Sequence, residues 1–191
     1  PVAAVPGLSD VMPLRDGDED VRIVGLLGRD FLRHVIFTYD GRSYLSRAEN
    51  PSAGTYVEPL YSSEGLLQGL RRQPPGSAPE ERATVFYLGG RPVAQLLQAG
   101  GTQVWTYLTT DHLGTPLLAT DESGAELWAA AFEPFGRDPW EGTSRGALER
   151  GIFLRFPGQW DDTAWAVAGL GSGPYYNLHR WYEPGVGSYT R

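Results

Sequence analysis

Residues 84–136 read TVFYLGGRPVAQLLQAGGTQVWTYLTTDHLGTPLLATDESGAELWAAAFEPFG. Strand-like runs alternate here with turn signals. Thr84–Leu88 precedes Gly89-Gly90, Pro92–Gln98 precedes Gly100-Gly101, and Gln103–Thr109 precedes Asp111-His112-Leu113-Gly114. Leu117–Thr120 precedes Asp121–Gly124, and Leu127–Phe132 precedes Glu133-Pro134-Phe135-Gly136. The runs hold β-branched and aromatic side chains that suit a pleated, half-buried surface. The breaks hold Gly, Asp and Pro, which supply turn backbone. Turns recur about every 10–14 residues, which leaves no room for crossover helices and predicts an antiparallel all-β meander.

The same texture extends upstream. Phe31–Tyr39 is strand-like, and Asp40-Gly41-Arg42 follows it. An Asp-Gly step predicts a two-residue hairpin turn with positive φ, and Ser43–Arg47 reads as the return strand. Residues 71–82 (RRQPPGSAPEER) have no apolar face and predict a loop or linker. Residues 1–20 are Pro-rich, then acidic (Asp16-Gly17-Asp18-Glu19-Asp20), and read as an extended arm. Downstream, a short helix is expected near residues 144–152, weakened by Gly146. From Phe153 the chain is dense in aromatics (Trp160, Trp165, Tyr175, Tyr176, Trp181, Tyr182, Tyr189) and reads as a plug or seam packed on the sheet. The organisation expected is an arm over 1–20, hairpins over 21–83 with the linker at 71–82, and a core unit over 84–191.

The 191 residues include no cysteine, which excludes disulfides, thiolate metal sites and a cysteine nucleophile. A net charge of −7 is a poor match for nucleic acid or an anionic membrane surface. No run reaches the roughly 18 apolar residues of a membrane span. The chain opens on Pro1 without a basic-then-apolar leader, so it is read as a fragment or a processed product.

Several motifs carry a resemblance. Phe37-Thr38-Tyr39-Asp40-Gly41-Arg42-Ser43-Tyr44-Leu45 resembles a YD repeat, and Phe86–Ala94 a degenerate second copy. Tyr107–Arg137 resembles the start of the Rhs repeat-associated core through Asp111-His112-Leu113-Gly114-Thr115-Pro116 and Glu133-Pro134-Phe135-Gly136. Leu154-Arg155-Phe156-Pro157-Gly158-Gln159 and Tyr175-Tyr176-Asn177-Leu178-His179-Arg180-Trp181-Tyr182 continue it. The family motif residues in this chain are Tyr39, Asp40, Gly41, Arg42, Asp111, His112, Gly114, Pro116, Pro134, Phe135, Gly136, Phe156, Pro157, Gly158, Tyr175, Tyr176, Asn177, Arg180 and Tyr182.

Resemblance to the Rhs/YD-repeat family implies a spiral of β-hairpins forming part of a closed hollow shell, with an irregular aromatic plug at its C-terminal end. It implies a structural role: enclosing a C-terminal toxin polypeptide in an exported bacterial protein, by a type VI or toxin-complex route. The implied partners are the rest of the shell, the toxin, and a delivery spike or chaperone. A hairpin alone is marginal, and stacking buries its face and its edges. Tyr182-Glu183-Pro184 and Gly187-Ser188-Tyr189 depart from the family's Tyr-Asp-Pro and Gly-Arg-Tyr, and WDDTAWAVAGLGSGP is an insertion. The family's self-cleavage aspartates belong after Arg191, so the resemblance places no catalytic residue, cofactor or metal ligand in this chain.

Other chemistry has weaker support. Gly142-Thr143-Ser144-Arg145-Gly146 matches a nucleophile elbow, with Asp161, Asp162 and His179 following in hydrolase order. The residues before Ser144 read as a loop, not a buried strand, so a serine hydrolase is a second alternative only. Asp16, Asp18 and Asp20 match the first ligands of a calcium loop, but Val21 and Leu27 occupy its Gly and Glu positions. Gly169–Pro174 lacks the last glycine of a dinucleotide fingerprint. His34, His112 and His179 are too scattered for a metal site. His112 is expected to bond within its turn, and Asp161-Asp162 to form an exposed turn. The first alternative function is a surface adhesion or glycan-binding module, in which aromatics stack on sugar.

Overall fold

The computed structural model describes residues 14–15, 21–26, 34–74, 76–138, 146–147, 150–161 and 175–189. Eleven strands form one antiparallel sheet: β1 (Leu14–Arg15), β2 (Val21–Leu26), β3 (His34–Tyr39), β4 (Leu45–Asn50), β5 (Thr55–Tyr61), β6 (Leu67–Gln73), β7 (Glu81–Leu88), β8 (Arg91–Ala99), β9 (Thr102–Thr110), β10 (Pro116–Thr120) and β11 (Glu126–Ala129). They lie side by side in chain order, with no crossover. A second sheet of β12 (Leu154–Arg155), β13 (Gln159–Asp161), β14 (Tyr175–Asn177), β15 (Arg180–Glu183) and β16 (Ser188–Tyr189) is built the same way. The protein is therefore all-β and antiparallel, as the turn spacing predicts. A closed shell is not seen in this stretch of chain. Of the expected helix over 144–152, only 146, 147 and 150–152 are described: Gly146 and Ala147 are helical, and the chain turns at Arg150–Gly151.

Two turn designs build the large sheet. At Gly89-Gly90 and Gly100-Gly101 both glycines have positive φ (58° and 77°; 55° and 83°), the geometry of a two-residue hairpin. Turns opened by Asp40, Ser62, Asp111, Asp121 and Glu133 are longer. In each, the first residue's N–H donates to the fifth residue's carbonyl, and the fourth residue's N–H donates back to the first carbonyl. The fourth residue is left-handed: Ser43 (φ 62°), Gly65, Gly114, Gly124 or Gly136. The Asp40-Gly41 expectation is corrected here. Ser43, not Gly41, carries the positive φ, because the Asp40 side chain, rather than a glycine, organises the turn.

Two further expectations change. Leu14–Arg15, within the expected arm, pairs with Val21 and Arg22. The expected linker shrinks to residues 74–80, since Arg71–Gln73 end β6 and Glu81-Arg82 open β7. Charge replaces apolar contact there. Glu58 pairs with Arg47 and, at 2.6 Å, with the Nε of Arg71. Glu80 takes Arg82 at 3.1 Å and the Tyr56 hydroxyl at 2.5 Å. On the opposite face Arg72 pairs with Glu81 at 2.5 Å and lies 5.0 Å from the Phe153 ring centroid.

Cross-strand partners share a face of a sheet. On one face, Phe37, Leu45, Ala48, Val57, Leu70 and Val85 form a buried cluster with Phe153, Leu154, Trp160, Tyr176 and Trp181. Leu108, Ala119 and Trp128 continue it under Ala147 and Ile152. The aromatic segment thus packs on the sheet as expected, though as a five-stranded sheet where an irregular plug was anticipated. Among the described residues the other face exposes Leu60, Phe86 and Tyr107. Its rows run Leu60–Gly69–Thr84–Leu96–Trp105 and Phe86–Ala94–Tyr107.

Gly69 is sterically required. A Cβ there would sit 2.6 Å from the Ala83 carbonyl oxygen, which is backbone and does not yield. Gly69→Ala is expected to cost about 2 kcal/mol or more by forcing β6 from β7. Thermal unfolding measures this, and an unchanged melting temperature would contradict the close approach of the two strands.

Candidate functional site

The motif residues lie partly in turns, where the Asp40 and Asp111 side chains close the loop, and partly on strands: Tyr39 on β3, Pro116 on β10, Tyr175, Tyr176 and Asn177 on β14, Arg180 and Tyr182 on β15. The Asp40 carboxylate accepts the N–H groups of Arg42 and Tyr44 at 2.9 Å each. Burial opposes its charge, but those donors and the Arg42 guanidinium, 2.8 Å away, hold the carboxyl below its usual range. Arg42 also lies 4.6 Å from the Tyr44 ring centroid and donates at 3.4 Å to the Ser62 carbonyl of the next turn, so the Asp-Gly-Arg step ties neighbouring hairpins. Tyr39 is half-buried against the main cluster, and Gly41 is exposed.

Asp111 repeats the scheme. Its carboxylate accepts the N–H groups of Leu113 and Thr115 at 2.8 Å each. His112 is exposed, and two backbone donors to Asp111 close the turn where a bond from His112 was expected. Asp111→Ala is expected to cost about 1–2 kcal/mol, whereas Asp111→Asn, which keeps an acceptor oxygen, costs less. Faster amide exchange at Leu113 and Thr115 in the alanine variant is the measurement; unchanged exchange would remove the capping role.

Motifs far apart in sequence converge on one junction. Gly114 and Pro116 are buried, and the Leu113-Gly114 turn lies against Gly158: a Cβ on Gly158 would meet the Leu113 carbonyl oxygen at 2.7 Å. Pro134 and Phe135 are exposed, but Gly136 is buried against Phe156, whose Cβ would lie 2.4 Å from a Cβ placed on Gly136. Tyr182 donates to the Phe135 carbonyl at 2.8 Å, and Tyr175 to the Gly136 carbonyl at 3.3 Å. The Phe156–Tyr182 and Tyr175–Tyr182 centroids are 5.6 Å and 6.3 Å apart. Asn177 reaches the Tyr189 hydroxyl at 3.3 Å, and Arg180 lies 4.2 Å from the Tyr189 ring centroid. Tyr176 crosses between sheets: its hydroxyl accepts the Leu45 N–H at 2.7 Å and donates to the Leu178 carbonyl, and burial pushes its pKa up. A cavity of about 200 Å³ remains at this junction, bordered by Gly90, Leu113, Gly114, Pro157, Gln159 and Asn177.

One pair escaped the sequence reading. Asp161, expected in an exposed turn, is fully buried beside Arg155, also fully buried. β13 explains it: Asp161 faces Tyr175 across the ladder, on the side opposite Trp160. Arg155 donates to the carbonyls of Ile152 (2.7 Å) and Leu154 (2.9 Å) and lies 3.5 Å from an Asp161 oxygen. Among the described residues neither Asp161 oxygen accepts a hydrogen bond, and desolvation pushes its pKa up to about 6 despite Arg155. The signal available in sequence was the alternation of Leu154 and Trp160 with Arg155 and Asp161. Ser144, Asp162, Gly169–Pro174 and Asp16–Asp20 lie outside the described residues. Among the described residues no three His, Asp or Glu side chains gather as a metal site.

Comparison with known proteins agrees with this geometry. Residues 106–137 match the family model described as RHS protein. The chain is 34% identical over 174 residues, 88% of its length, to Toxin protein Tse5 of Pseudomonas aeruginosa, of which it covers 12%. It is 37% identical over 82 residues, 42% of its length, to Double-stranded DNA deaminase toxin A of Burkholderia cenocepacia, of which it covers 5%. The chain thus spans a small part of these relatives. Its fold matches the crystal structure of TcdB2-TccC3-TEV with a TM-score of 0.60 at 17% identity, over 90% of this chain and 8% of that one. By its turn motifs, its fold and these relatives, the chain belongs to the Rhs/YD-repeat family.

Proposed function

We propose that this chain is part of the wall and seal of a shell that holds a polypeptide toxin apart from its producer. The carrying observation is the uninterrupted eleven-strand meander whose one face is covered by the aromatic β12–β16 sheet. A sheet that grows by one neighbouring strand at a time extends into a wall, and closing it hides its edges. Residues 21–83 supply wall hairpins, and 84–191 the core unit whose motif turns meet at the junction. The chain's role in this reading is structural. Two relatives named as toxins support a toxin as cargo and export of the whole protein; a type VI or toxin-complex route and a spike or chaperone partner belong to the same proposal.

The test is intact mass of the full-length protein under native and denaturing conditions. A downstream polypeptide that separates only on denaturation, cut at a fixed point beyond Arg191, supports enclosure. A single uncut chain with no retained partner overturns it.

A further inference from the structure

We infer that the β14–β15 turn is a strained latch: it clips the aromatic sheet to two hairpin tips of the large sheet, and it is where that sheet lets go first. Leu178 and Ser43 are the two non-glycine positions with positive φ among the described residues, at 54° and 62°. Ser43 is small and sits in a turn that the Asp40 carboxylate organises. Leu178 is bulky, and left-handed backbone drives its Cβ toward the following carbonyl oxygen. The His179 N–H donates to the Asn177 carbonyl at 2.6 Å, which closes a three-residue turn around Leu178. With positive φ at its centre, such a turn is the rare and strained form.

The large sheet holds this strain in place. The Leu178 side chain lies where Gly65, in the β5–β6 turn, leaves room: a Cβ on Gly65 would meet Leu178 Cδ1 at 2.7 Å. The His179 ring stands 5.3 Å, centroid to centroid, from Tyr44 in the β3–β4 turn. The Leu178 carbonyl accepts the Tyr176 hydroxyl, which in turn accepts the Leu45 N–H of β4. Backbone strain persists where its surroundings over-determine it. Each of these grips ends on the wall, so lifting the aromatic sheet breaks them together and lets Leu178 return to negative φ. The strain then favours the open side of the equilibrium. Tips of the large sheet avoid this bias where Gly65, Gly89, Gly90, Gly114 and Gly124 take positive φ without a Cβ. The aromatic sheet can thereby part from the wall while the wall stays paired. That the latch closes a seal rests on the enclosure reading above; the latch itself rests on these contacts.

The test is hydrogen exchange of the full-length protein, read by mass spectrometry with fragmentation that resolves the Leu45 amide. That amide belongs to the large sheet but donates to Tyr176, so its exchange reports the lifting of the aromatic sheet. In the wild type it is expected to exchange at least about tenfold faster than the slowest amides of β7 and β8, because the latch opens without the wall. Leu178→Ala removes the grip on Gly65 and keeps the strain, whereas Leu178→Gly removes both. Leu45 should therefore exchange about fivefold more slowly in the glycine variant than in the alanine variant, equal to about 1 kcal/mol. Where φ is negative the order is the reverse, since glycine loosens the chain. Glycine exchanging as fast as alanine or faster overturns the latch. So does a wild-type Leu45 amide that exchanges no faster than those of β7 and β8. Both comparisons read the same whether or not a cargo is retained, so a failed latch and a failed enclosure are told apart.

Discussion

Replacing Trp160 with alanine lowers the unfolding free energy by about 4 kcal/mol, near the upper end for a large aromatic removed from a core. Trp160 is 1% exposed, the largest fully buried side chain among the described residues. It stands on β13 between Leu154 and Tyr176, with the Tyr176 ring 5.7 Å away, and faces the wall sheet. Its indole N–H donates to the Tyr61 hydroxyl on β5, so the substitution removes both apolar area and a bond that joins the sheets. Neighbouring backbone belongs to two sheets and has little freedom to collapse into the void. Denaturant unfolding followed by near-ultraviolet circular dichroism measures the loss. Trp105→Ala, half-buried on the opposite face of the large sheet, is the control and should cost far less. A Trp160→Ala loss below about 1 kcal/mol would mean that the small sheet is not seated on the wall.

At the buried pair, the two partners are expected to respond in opposite directions. Arg155→Met removes two hydrogen bonds to backbone carbonyls and the cation 3.5 Å from Asp161, and should cost about 3–5 kcal/mol at neutral pH. Asp161→Asn should stabilise. The Asp161 carboxyl rises from 3.8 to about 6 on folding, so the folded chain holds this proton more tightly than the unfolded chain does. Its contribution is therefore present below the unfolded value and is lost as pH rises through about 6, a change of about 3 kcal/mol. Carboxyls held low, such as Asp40 and Asp121, act with the opposite sign, so the comparison must be wild type against variant. Asparagine stays neutral throughout. The two proteins should match near pH 4 and diverge by pH 7.5 in favour of the variant. If Asp161→Asn were instead clearly less stable at pH 7.5, the ion pair would be a net stabilising one.

What the sequence made legible was local. Gly89-Gly90 and Gly100-Gly101 dictate their turns through their own backbone freedom, and the strands they flank follow within a residue or three. β5 and β6 were not singled out, because Pro59, Gly69 and two arginines weaken any strand pattern; partners across the ladder hold them, Arg71 and Glu58 above all. The turn at Asp40 was placed correctly but built differently, since a carboxylate accepting two N–H groups outweighs the glycine beside it. At the junction, the motifs were visible as separate words. That Gly136 meets Phe156, or that Leu113 meets Gly158, depends on contacts formed only after both sheets exist. Asp161 was misread for the same reason: a lone β13 would expose it, and burial follows from the docking of its neighbours.

Every strand in the large sheet pairs with the one made just before it, so each pairing closes only a short loop and little chain entropy is lost per step. The bond from the Tyr176 hydroxyl to the Leu45 amide instead spans 131 residues. Contacts of such different range form at different times, local ones first. A ribosome emitting this chain therefore releases a wall that zips up hairpin by hairpin as it emerges, while the aromatic sheet has no surface to land on until that wall is complete. Within this stretch of chain the small sheet is the later piece to set, and its order of arrival is written into the strand order.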